Sequence, residues 1–168
     1  MEVYKVIVEN PDYEISNLGN CKNSKTGRIL KPLQMKNGYE QYNLSRTNED
    51  NKRVQCHKYR HRLIGIYHIN NPNNYTDIDH IDRNPTNNDI DNLRWVSKSL
   101  NLMNQKKALN KSSIYKGVHY DKSRDKWSSN IEINKIVSHL GRFETEIEAY
   151  EARKKFISEK GLESFFQI

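Results

Sequence analysis

Residues 77–97, "DIDHIDRNPTNNDIDNLRWVS", hold the side chains whose types and spacing are best suited to chemistry. Five aspartates, four asparagines and one histidine lie within this stretch, although the chain carries a formal net charge of +7. Acidic and amide side chains at this density are poor material for a hydrophobic core. They favour a turn-rich loop, a site for a metal ion, or both.

Two common metal motifs do not fit the residues. An EF-hand loop beginning at the first aspartate would have Ile81 at its fifth position. One beginning at Asp82 would lack the required Gly and Glu at its sixth and twelfth positions. His57 and His61 have the spacing of a zinc-protease pair on a helix, but Lys58 follows His57 where the general-base glutamate is needed. We therefore expect neither a calcium loop nor a zinc protease.

The residues that remain are an Asp79-His80 pair at the end of a predicted strand and Asn101 in a later predicted helix. If strand and helix pack together, Asp79 and Asn101 can face one another, and their oxygens suit Mg²⁺ or Mn²⁺. Such a cation, its shell completed by a substrate phosphate, would stabilise phosphodiester hydrolysis, and His80 could activate the water. The same spacing also suits an asparagine-rich loop of Asx-turns without chemistry.

The hydrophobic pattern predicts the elements that position these residues. Residues 1–53 alternate apolar and polar side chains between turns, which indicates a small β-sheet. Residues 57–69 change to a helical period, with Leu63, Ile64 and Tyr67 on one face. A strand into residues 78–80, a loop, a strand over residues 93–97 and a helix that Ser97 caps then form a β-loop-β-helix unit.

The last third of the chain follows a polar, basic segment over residues 106–113 that is typical of a linker. Three strands are predicted beyond it, with turns at residues 123–125 and near Asn134. An amphipathic helix follows, and Ile147, Tyr150 and Phe156 or Ile157 are expected to face the sheet. The predicted class is α+β, in three modules over residues 1–53, 54–108 and 109–168.

The composition agrees with small modules rather than one large core. Only 35% of the 168 residues are hydrophobic, and the mean hydropathy is −0.99. Twenty-eight Lys and Arg residues against 21 Asp and Glu residues favour a polyanionic partner, although a basic protein need not bind one. Cys21 and Cys56 form no C-x-x-C pair, which predicts free thiols. No signal peptide or apolar span is evident, so we expect a soluble, intracellular protein without membrane contact.

The segment "HRLIGIYHINNPNNYTDIDHIDRNPTNNDIDNLRWVSKSLNLMNQ", residues 61–105, resembles the HNH homing endonucleases of phages and large DNA viruses. The shared features are a His-Arg-Leu helix, an Asp-His pair, an Asp-x-x-Asn-Asn loop, Asn-Leu-Arg-Trp and a following helix. The resemblance implies a central ββα-metal finger that binds one Mg²⁺ or Mn²⁺ ion through Asp79 and Asn101. It also implies that His80 is the general base and that Asn92 holds the loop by hydrogen bonds.

Other residues of this segment have less defined roles by the same resemblance. Arg94 is expected either to contact a DNA phosphate or to serve the structure, and His61 is expected to be structural. Arg83 stands where relatives often carry Gly; if the position needs a positive φ, Arg costs roughly 1 kcal/mol there. The remaining polar loop residues are assigned to loop architecture: Asp82, Asn84, Asn87 and Asn88.

Both flanks also resemble known modules. "YEISNLGNCKNSKTGRILKP", residues 13–32, resembles the β-rich module that often precedes HNH domains. "IYKGVHYDKSRDKWSSNIEINKIVSHLGRFETEIEAY", residues 114–150, resembles the three-stranded DNA-binding domain of the Apetala and ethylene-response factors. His119 and Glu132 replace arginines of that family, so no target sequence is carried over. The resemblance implies that DNA is contacted by residues at or next to the matching positions: Tyr115, Lys116, His119, Lys122, Arg124 and Trp127. Trp127 is equally suited to the core.

These observations predict a metal-dependent DNA endonuclease that acts on double-stranded DNA and nicks one strand per monomer. The flanking modules, residues 1–53 and 109–168, are expected to bind DNA, and the central module is expected to cut it. We expect a monomer or weak dimer and no small-molecule cofactor. Two alternatives stay open. One is a non-catalytic DNA-binding regulator that keeps the finger as a scaffold. The other is an RNA-binding module that stacks bases on its ten tyrosines.

Overall fold

The computed structural model describes residues 1–104 and 112–165, without the side chain of Met103. Small antiparallel sheets and short helices make up these residues, so the predicted α+β class is confirmed. They divide into two compact units, residues 1–95 and the described residues from 96 onward. The division into three modules stays a prediction. In the described part, no helix is long and apolar enough to cross a membrane.

Seven short strands precede the first helix and form two sheets. The first sheet has the order β1-β2-β3-β4, with antiparallel pairs. The second has the order β5-β6-β7, also antiparallel. The strands are β1 Tyr4–Val6, β2 Tyr13–Ser16, β3 Cys21–Asn23, β4 Ile29–Leu30, β5 Leu33–Gln34, β6 Glu40–Thr47 and β7 Arg53–Tyr59. Apolar residues of these strands, with Ile7 next to β1 and Leu63 of the first helix, build one core: Ile7, Tyr13, Ile15, Cys21, Tyr42, Leu44 and Leu63.

Helix α1 runs over Arg60–His68, three residues later than predicted. Residues 57–59 continue β7 instead, because Tyr59 pairs with Gln41 in the β6–β7 ladder. His57 is therefore in a strand, and the proposed helical His57/His61 spacing does not exist. Helix α1 packs closely on the next strand at Gly65, where an added Cβ would lie 2.0 Å from Ile78 Cδ1.

The predicted β-loop-β unit is present. Strand β8 (Asp77–His80) pairs with β9 (Leu93–Val96), and a 3₁₀ turn over Ile90–Asn92 precedes β9. The Asp89 side chain caps this turn by accepting from the Asp91 amide. Ile64, Ile78 and Leu93 form the buried cluster that holds α1 against the strand pair. The carboxyl end of β8 is thereby fixed on a packed layer rather than on a free loop.

The second unit begins with α2 (Lys98–Asn104), and Ser97 accepts a hydrogen bond from the Leu100 amide, as expected of a cap. Three antiparallel strands follow, β10 (Val118–Asp121), β11 (Lys126–Ile133) and β12 (Ile136–Phe143), and α3 (Glu146–Glu159) packs against them. A short 3₁₀ turn over Glu163–Phe165 ends the described residues. Most of the predicted linker, residues 105–111, lies outside the described part of the chain.

The face that α3 buries agrees with the prediction at Ile157 and differs from it at Ile147. Ala149, Arg153 and Ile157 are buried, whereas Ile147 is 63% exposed. The three buried residues are four apart and share one stripe of a 3.6-residue helix, while Ile147 lies nearly opposite Ala149. The prediction that Ile147 faces the sheet is therefore wrong.

Candidate active site

Asp79 and His80 lie at the carboxyl end of β8 and are both buried, with exposures of 8% and 5%. Adjacent residues of a strand point to opposite faces, so the two side chains serve different surroundings. His80 shares its face with Ile78, which packs against α1, and Asp79 points away from it. The strand thereby separates an acid from a histidine that are neighbours in sequence.

Asp79 is bonded to Arg94 of the neighbouring strand β9. The Arg94 Nε and Nη2 atoms donate to Asp79 Oδ2 at 3.1 and 2.8 Å. Both side chains are nearly buried, so the guanidinium supplies the positive charge that a buried carboxylate requires. Of the two roles considered for Arg94, the structural contact is observed, and a phosphate contact stays a prediction.

His80 is bonded to Asn88 of the loop, a contact that sequence reasoning missed. The His80 Nε2 atom lies 3.2 Å from Asn88 Oδ1. The Asn88 Nδ2 group donates to Glu40 Oε2 at 3.0 Å, and Glu40 Oε2 also accepts from Arg60 Nη1 at 2.8 Å. Asn88 was assigned to loop architecture, and Glu40 was not considered. No local pattern could have revealed Glu40, since it lies 48 residues before Asn88.

Aromatic rings surround the other side of His80. The His61 ring centroid lies 5.1 Å from that of His80 and 5.0 Å from that of Tyr39. His61 is buried, and its Nδ1 atom has no hydrogen-bond partner among the described residues. Burial, with the nearby His80 and Arg62, lowers the pKa of His61 to about 3. His61 is therefore a neutral imidazole in the wall of the site, in agreement with the structural role expected for it.

The loop between β8 and β9 is held by Asn92. The Asn92 Oδ1 atom accepts from the Asp82 amide at 3.1 Å, and its Nδ2 group donates to the Asn87 carbonyl at 2.8 Å. Asn92 also donates to the Asp82 carboxylate at 3.0 Å. Although burial acts in the opposite direction, hydrogen bonds from Asn87, Asn84 and Asn92 lower the pKa of Asp82. These contacts are those expected of a residue that holds the loop without doing chemistry.

Arg83 adopts a φ of 60° within this loop. The structure thus meets the condition under which a residue other than Gly is strained at this position.

The predicted second metal ligand, Asn101, lies in α2, where its backbone N–H donates to the Ser97 carbonyl at 2.9 Å. It belongs to the second unit and Asp79 to the first. The joint assignment of Asp79 and Asn101 stays a prediction. Within residues 1–104 and 112–165, no group of three or more His, Cys, Asp or Glu side chains could hold a metal ion. The predicted pair contains one side chain of these types, Asp79, together with the amide of Asn101, so it is not a group of this kind.

The predicted DNA-binding residues of the second unit are spread over several surfaces. His119 of β10 is exposed and pairs with Ser128, whereas Trp127 pairs with Tyr120. Paired residues share a face and neighbours alternate, so His119 and Trp127 lie on opposite faces of the sheet. Trp127 is half-buried, with its ring 5.2 Å from that of Tyr120.

The basic residues among them differ in their contacts. Lys122 is exposed in the β10–β11 turn. Arg124 bonds to Asp121 at 3.1 Å, and the Ser123 hydroxyl, followed by Arg124, lowers the pKa of the Asp121 carboxyl to about 2. Lys116 donates to the Leu102 carbonyl. Their roles in DNA binding stay predictions.

A groove in the first unit was not predicted. Exposed Arg28, Lys31 and Arg53 line it, and Asn23, Asn43 and Tyr13 contribute polar atoms. Its lining combines these polar groups with the apolar side chains of Leu30 and Leu33. The three basic side chains are of the type that contacts the phosphates of a nucleic acid. The signal in the sequence is weak, because the three basic residues come from separate strands and turns.

Two family models match the chain over the parts just described. Residues 58–103 match the HNH endonuclease family, and residues 2–45 match the NUMOD4 motif. The first match contains β8, the loop and β9, together with α1 and most of α2. Residues 58–103 thus match the HNH endonuclease family, in agreement with the prediction of an HNH endonuclease domain.

Relatives come from a giant virus and from bacteriophages. The chain is 35% identical over 112 residues to the uncharacterized HNH endonuclease L245 of Acanthamoeba polyphaga mimivirus, covering 67% of this chain and 32% of that protein. It is 34% identical over 93 residues to the DNA endonuclease I-HmuI of Bacillus phage SP01, covering 55% and 51%. The chain thus spans about a third to a half of the length of these curated relatives.

A solved structure agrees with these matches. The HNH homing endonuclease I-HmuI, in a structure of its DNA binding and cleavage, has a TM-score of 0.52 and 25% identity to this chain. The similarity covers 95% of this chain and 91% of the other. The fold of the chain is therefore similar to that of I-HmuI.

Proposed function

We propose that this protein is a metal-dependent DNA endonuclease that hydrolyses phosphodiester bonds and cuts one strand per active site. The observation that carries the proposal is the buried Asp79-His80 pair at the end of β8, inside the segment that matches the HNH family. A relative named as a DNA endonuclease supports the same activity.

Asp79 and Asn101 would hold the divalent ion. Asp79 would be the anionic donor of the pair, and the Arg94 guanidinium that neutralises this buried carboxylate would compete with the ion for it. When bound, the ion would stabilise the charge on the phosphate and on the leaving 3′ oxygen. Carboxylate and amide oxygens are suited to Mg²⁺ or Mn²⁺.

His80 would accept the proton from the attacking water. Its ring is buried between Asn88 and the rings of Tyr39 and His61, which restrict its orientation. Asn92 would maintain the loop through its three hydrogen bonds. The proposed metal ligand Asp79 and the proposed base His80 thus lie on opposite faces of one strand.

DNA would contact basic residues of both units. The groove with Arg28, Lys31 and Arg53 would bind phosphates. In the second unit, the sheet of β10–β12 with α3 supports an Apetala-like DNA-binding role, for which exposed His119, Lys122 and Arg124 are candidates. The opposite position of Trp127 favours packing with Tyr120 rather than base contact.

The second candidate is a non-catalytic DNA-binding regulator. The Asp79–Arg94 ion pair favours it, because the pair satisfies the carboxylate and keeps the finger folded without an ion. An intact His80, however, has no evident use in a protein that only binds DNA.

The test is relaxation of supercoiled plasmid with Mg²⁺ or Mn²⁺, with and without EDTA, for wild type and His80→Ala. His57→Ala is the matched control, since His57 is an exposed histidine of the same unit. We expect metal-dependent nicking by wild type and the control, and its loss in His80→Ala. A degenerate DNA library serves as a second substrate, so that a missing target cannot explain an absence of cleavage. DNA binding without cleavage under every divalent ion would favour the regulator.

A further inference from the structure

One carboxylate in the second unit contacts two arginines from different parts of the sheet. Asp121 ends β10, and its Oδ2 atom accepts from Arg124 Nη1 at 3.1 Å and lies 3.7 Å from Arg142 Nε. We propose that Asp121 is a positioning residue that holds Arg124 and Arg142 side by side as a clamp for one DNA phosphate. This inference rests on the proposed DNA endonuclease function and deepens it. It adds Asp121 and Arg142 to the residues that the sequence singled out for DNA binding.

The two carboxylate oxygens of Asp121 have separate partners. The Oδ1 atom accepts from the Ser123 amide at 3.1 Å and from the Ser123 hydroxyl at 2.6 Å, which holds the β10–β11 turn in the manner of an Asx-turn. The same hydroxyl lowers the pKa of the carboxyl, so Asp121 keeps its negative charge at neutral pH. The Oδ2 atom is therefore the one that faces both guanidinium groups.

Arg142 reaches Asp121 across the middle strand of the sheet. The strand order is β10-β11-β12, so the Arg142 side chain crosses two strand spacings, about 10 Å. Ser128 of β11, which pairs with Arg142, is small enough to leave room for this path. Ile131 packs with Ile157 of α3, so Ser128 lies on the face that α3 does not cover. Ser128 is nevertheless only 4% exposed, as expected if the Arg142 side chain lies over it.

The arrangement suits an anionic ligand more than it serves the fold. The Arg124 and Arg142 side chains are 58% and 45% exposed, and ion pairs at such exposure contribute little to stability. Two guanidinium groups and one carboxylate leave one net positive charge. Each guanidinium also has further N–H donors in a planar fork, the geometry that binds a phosphate through two hydrogen bonds. The carboxylate offsets the repulsion between the two arginines while no DNA is bound.

The clamp predicts an effect of Asp121 that is opposite to the effect of charge alone. Asp121→Asn raises the formal net charge from +7 to +8, so charge alone predicts tighter binding of DNA. Asn keeps an Oδ1 acceptor for Ser123 but lacks the charge that holds the arginines. We expect the affinity for duplex DNA to fall about fivefold or more at roughly 0.1 M salt, because one phosphate contact contributes about −0.9 to the slope of log K against log salt concentration.

Fluorescence anisotropy of labelled duplexes measures this affinity for the full chain, in EDTA so that the DNA is not cut. Glu132→Gln is the matched control, because Glu132 is exposed on the same face of β11 and its replacement changes the net charge equally. We expect Glu132→Gln to bind at least as tightly as wild type. The loss in Asp121→Asn should be equal on G·C-rich and A·T-rich duplexes, since a phosphate contact carries no sequence information. Binding of Asp121→Asn as tight as that of Glu132→Gln, or a loss confined to one duplex, would overturn the proposal.

A second variant keeps the charge and removes the guanidinium forks. Arg124→Lys with Arg142→Lys leaves the net charge at +7 but replaces two planar forks with point charges, so we expect a loss of affinity similar to that of Asp121→Asn. In this lysine background, Asp121→Asn should weaken binding no further, and a double-mutant cycle measures that coupling. An equal effect of Asp121→Asn in both backgrounds would show that Asp121 acts only on the turn, and the clamp would be wrong.

The outcomes separate failure of the clamp from failure of the proposed function. If wild type binds no duplex at any salt concentration, the proposed endonuclease and the clamp are both wrong. If wild type binds or cuts DNA and Asp121→Asn binds as wild type does, only the clamp is wrong. If Asp121→Asn does not fold, the lysine double variant decides, because wild-type affinity in that variant contradicts a role for the forks.

Discussion

At the scale of single residues, the site consists of buried polar groups whose partners come from neighbouring elements. Asp79 is satisfied by Arg94, and His80 by Asn88. His61 differs, because it is buried as a neutral ring with no partner at Nδ1 among the described residues. Keeping such a ring neutral links the stability of the first unit to pH.

Acid should therefore destabilise the first unit through His61. Its pKa falls from an ordinary value near 6.5 to about 3 in the folded protein, so only the unfolded state takes up the proton between these values. Stability is complete above about pH 6.5 and declines toward pH 3, by up to about 1.4 kcal/mol per pH unit. At pH 5 the loss relative to pH 7 should be about 2 kcal/mol.

Urea unfolding at pH 7 and pH 5 measures this effect. Trp95 fluorescence in a Trp127→Phe background reports on the first unit, since these are the two tryptophans of the chain. His61→Leu should lose most of the difference between the two pH values, and His57→Leu, at an exposed histidine, should keep it. An equal acid sensitivity of His61→Leu and wild type would contradict this account.

At the scale of elements, the separation of α1 from β8 decides where Asp79 and His80 lie. Gly65 allows the helix backbone to approach Ile78, and an added Cβ would lie 2.0 Å from Ile78 Cδ1. Helix propensity favours Ala over Gly by about 0.8–1 kcal/mol. Overpacking of a core typically costs about 1–3 kcal/mol and should be the larger effect here.

Gly65→Ala should therefore destabilise the first unit and reduce the proposed DNA cleavage, because β8 must shift. Ile78→Val removes the Cδ1 atom that the new Cβ would meet, so the double variant should be more stable than Gly65→Ala alone. Urea unfolding followed by Trp95 measures both. A Gly65→Ala protein as stable as wild type would show that helix and strand separate easily.

At the scale of the whole molecule, the formal net charge of +7 and the basic groove predict DNA binding that weakens steeply with salt. Each phosphate contact contributes about −0.9 to the slope of log K against log salt concentration. The triple variant Arg28→Ala, Lys31→Ala and Arg53→Ala should therefore make the slope shallower by roughly 3.

The control is a triple variant with the same change of net charge, from +7 to +4, at exposed lysines outside the groove: Lys52, Lys155 and Lys160. Fluorescence anisotropy of labelled duplex DNA over a series of salt concentrations gives both slopes. If the two triple variants change the slope equally, the groove has no special role, and only the total charge matters.

The sequence alone determined much of this protein, because the relevant signals are local. Period-two and helical patterns predicted β8, β9 and α2, and the Asp79-His80 pair was placed correctly at a strand end. Arg83 was singled out because relatives often carry Gly at this position, and its φ of 60° is a conformation that favours Gly. The family resemblance of residues 61–105 depended on the order of residues and needed no contacts.

Tertiary structure decided what depends on pairing between distant segments. Strand pairing with Gln41 kept Tyr59 in β7 and delayed α1, against the local helical pattern. Packing selected Asp79 as the partner of Arg94, although the sequence allowed a phosphate equally well. The contact from Glu40 to Asn88 spans 48 residues, and its energy comes from burial and hydrogen bonding that exist only after the elements have assembled. The residues near Asn88 in the sequence therefore do not predict that contact.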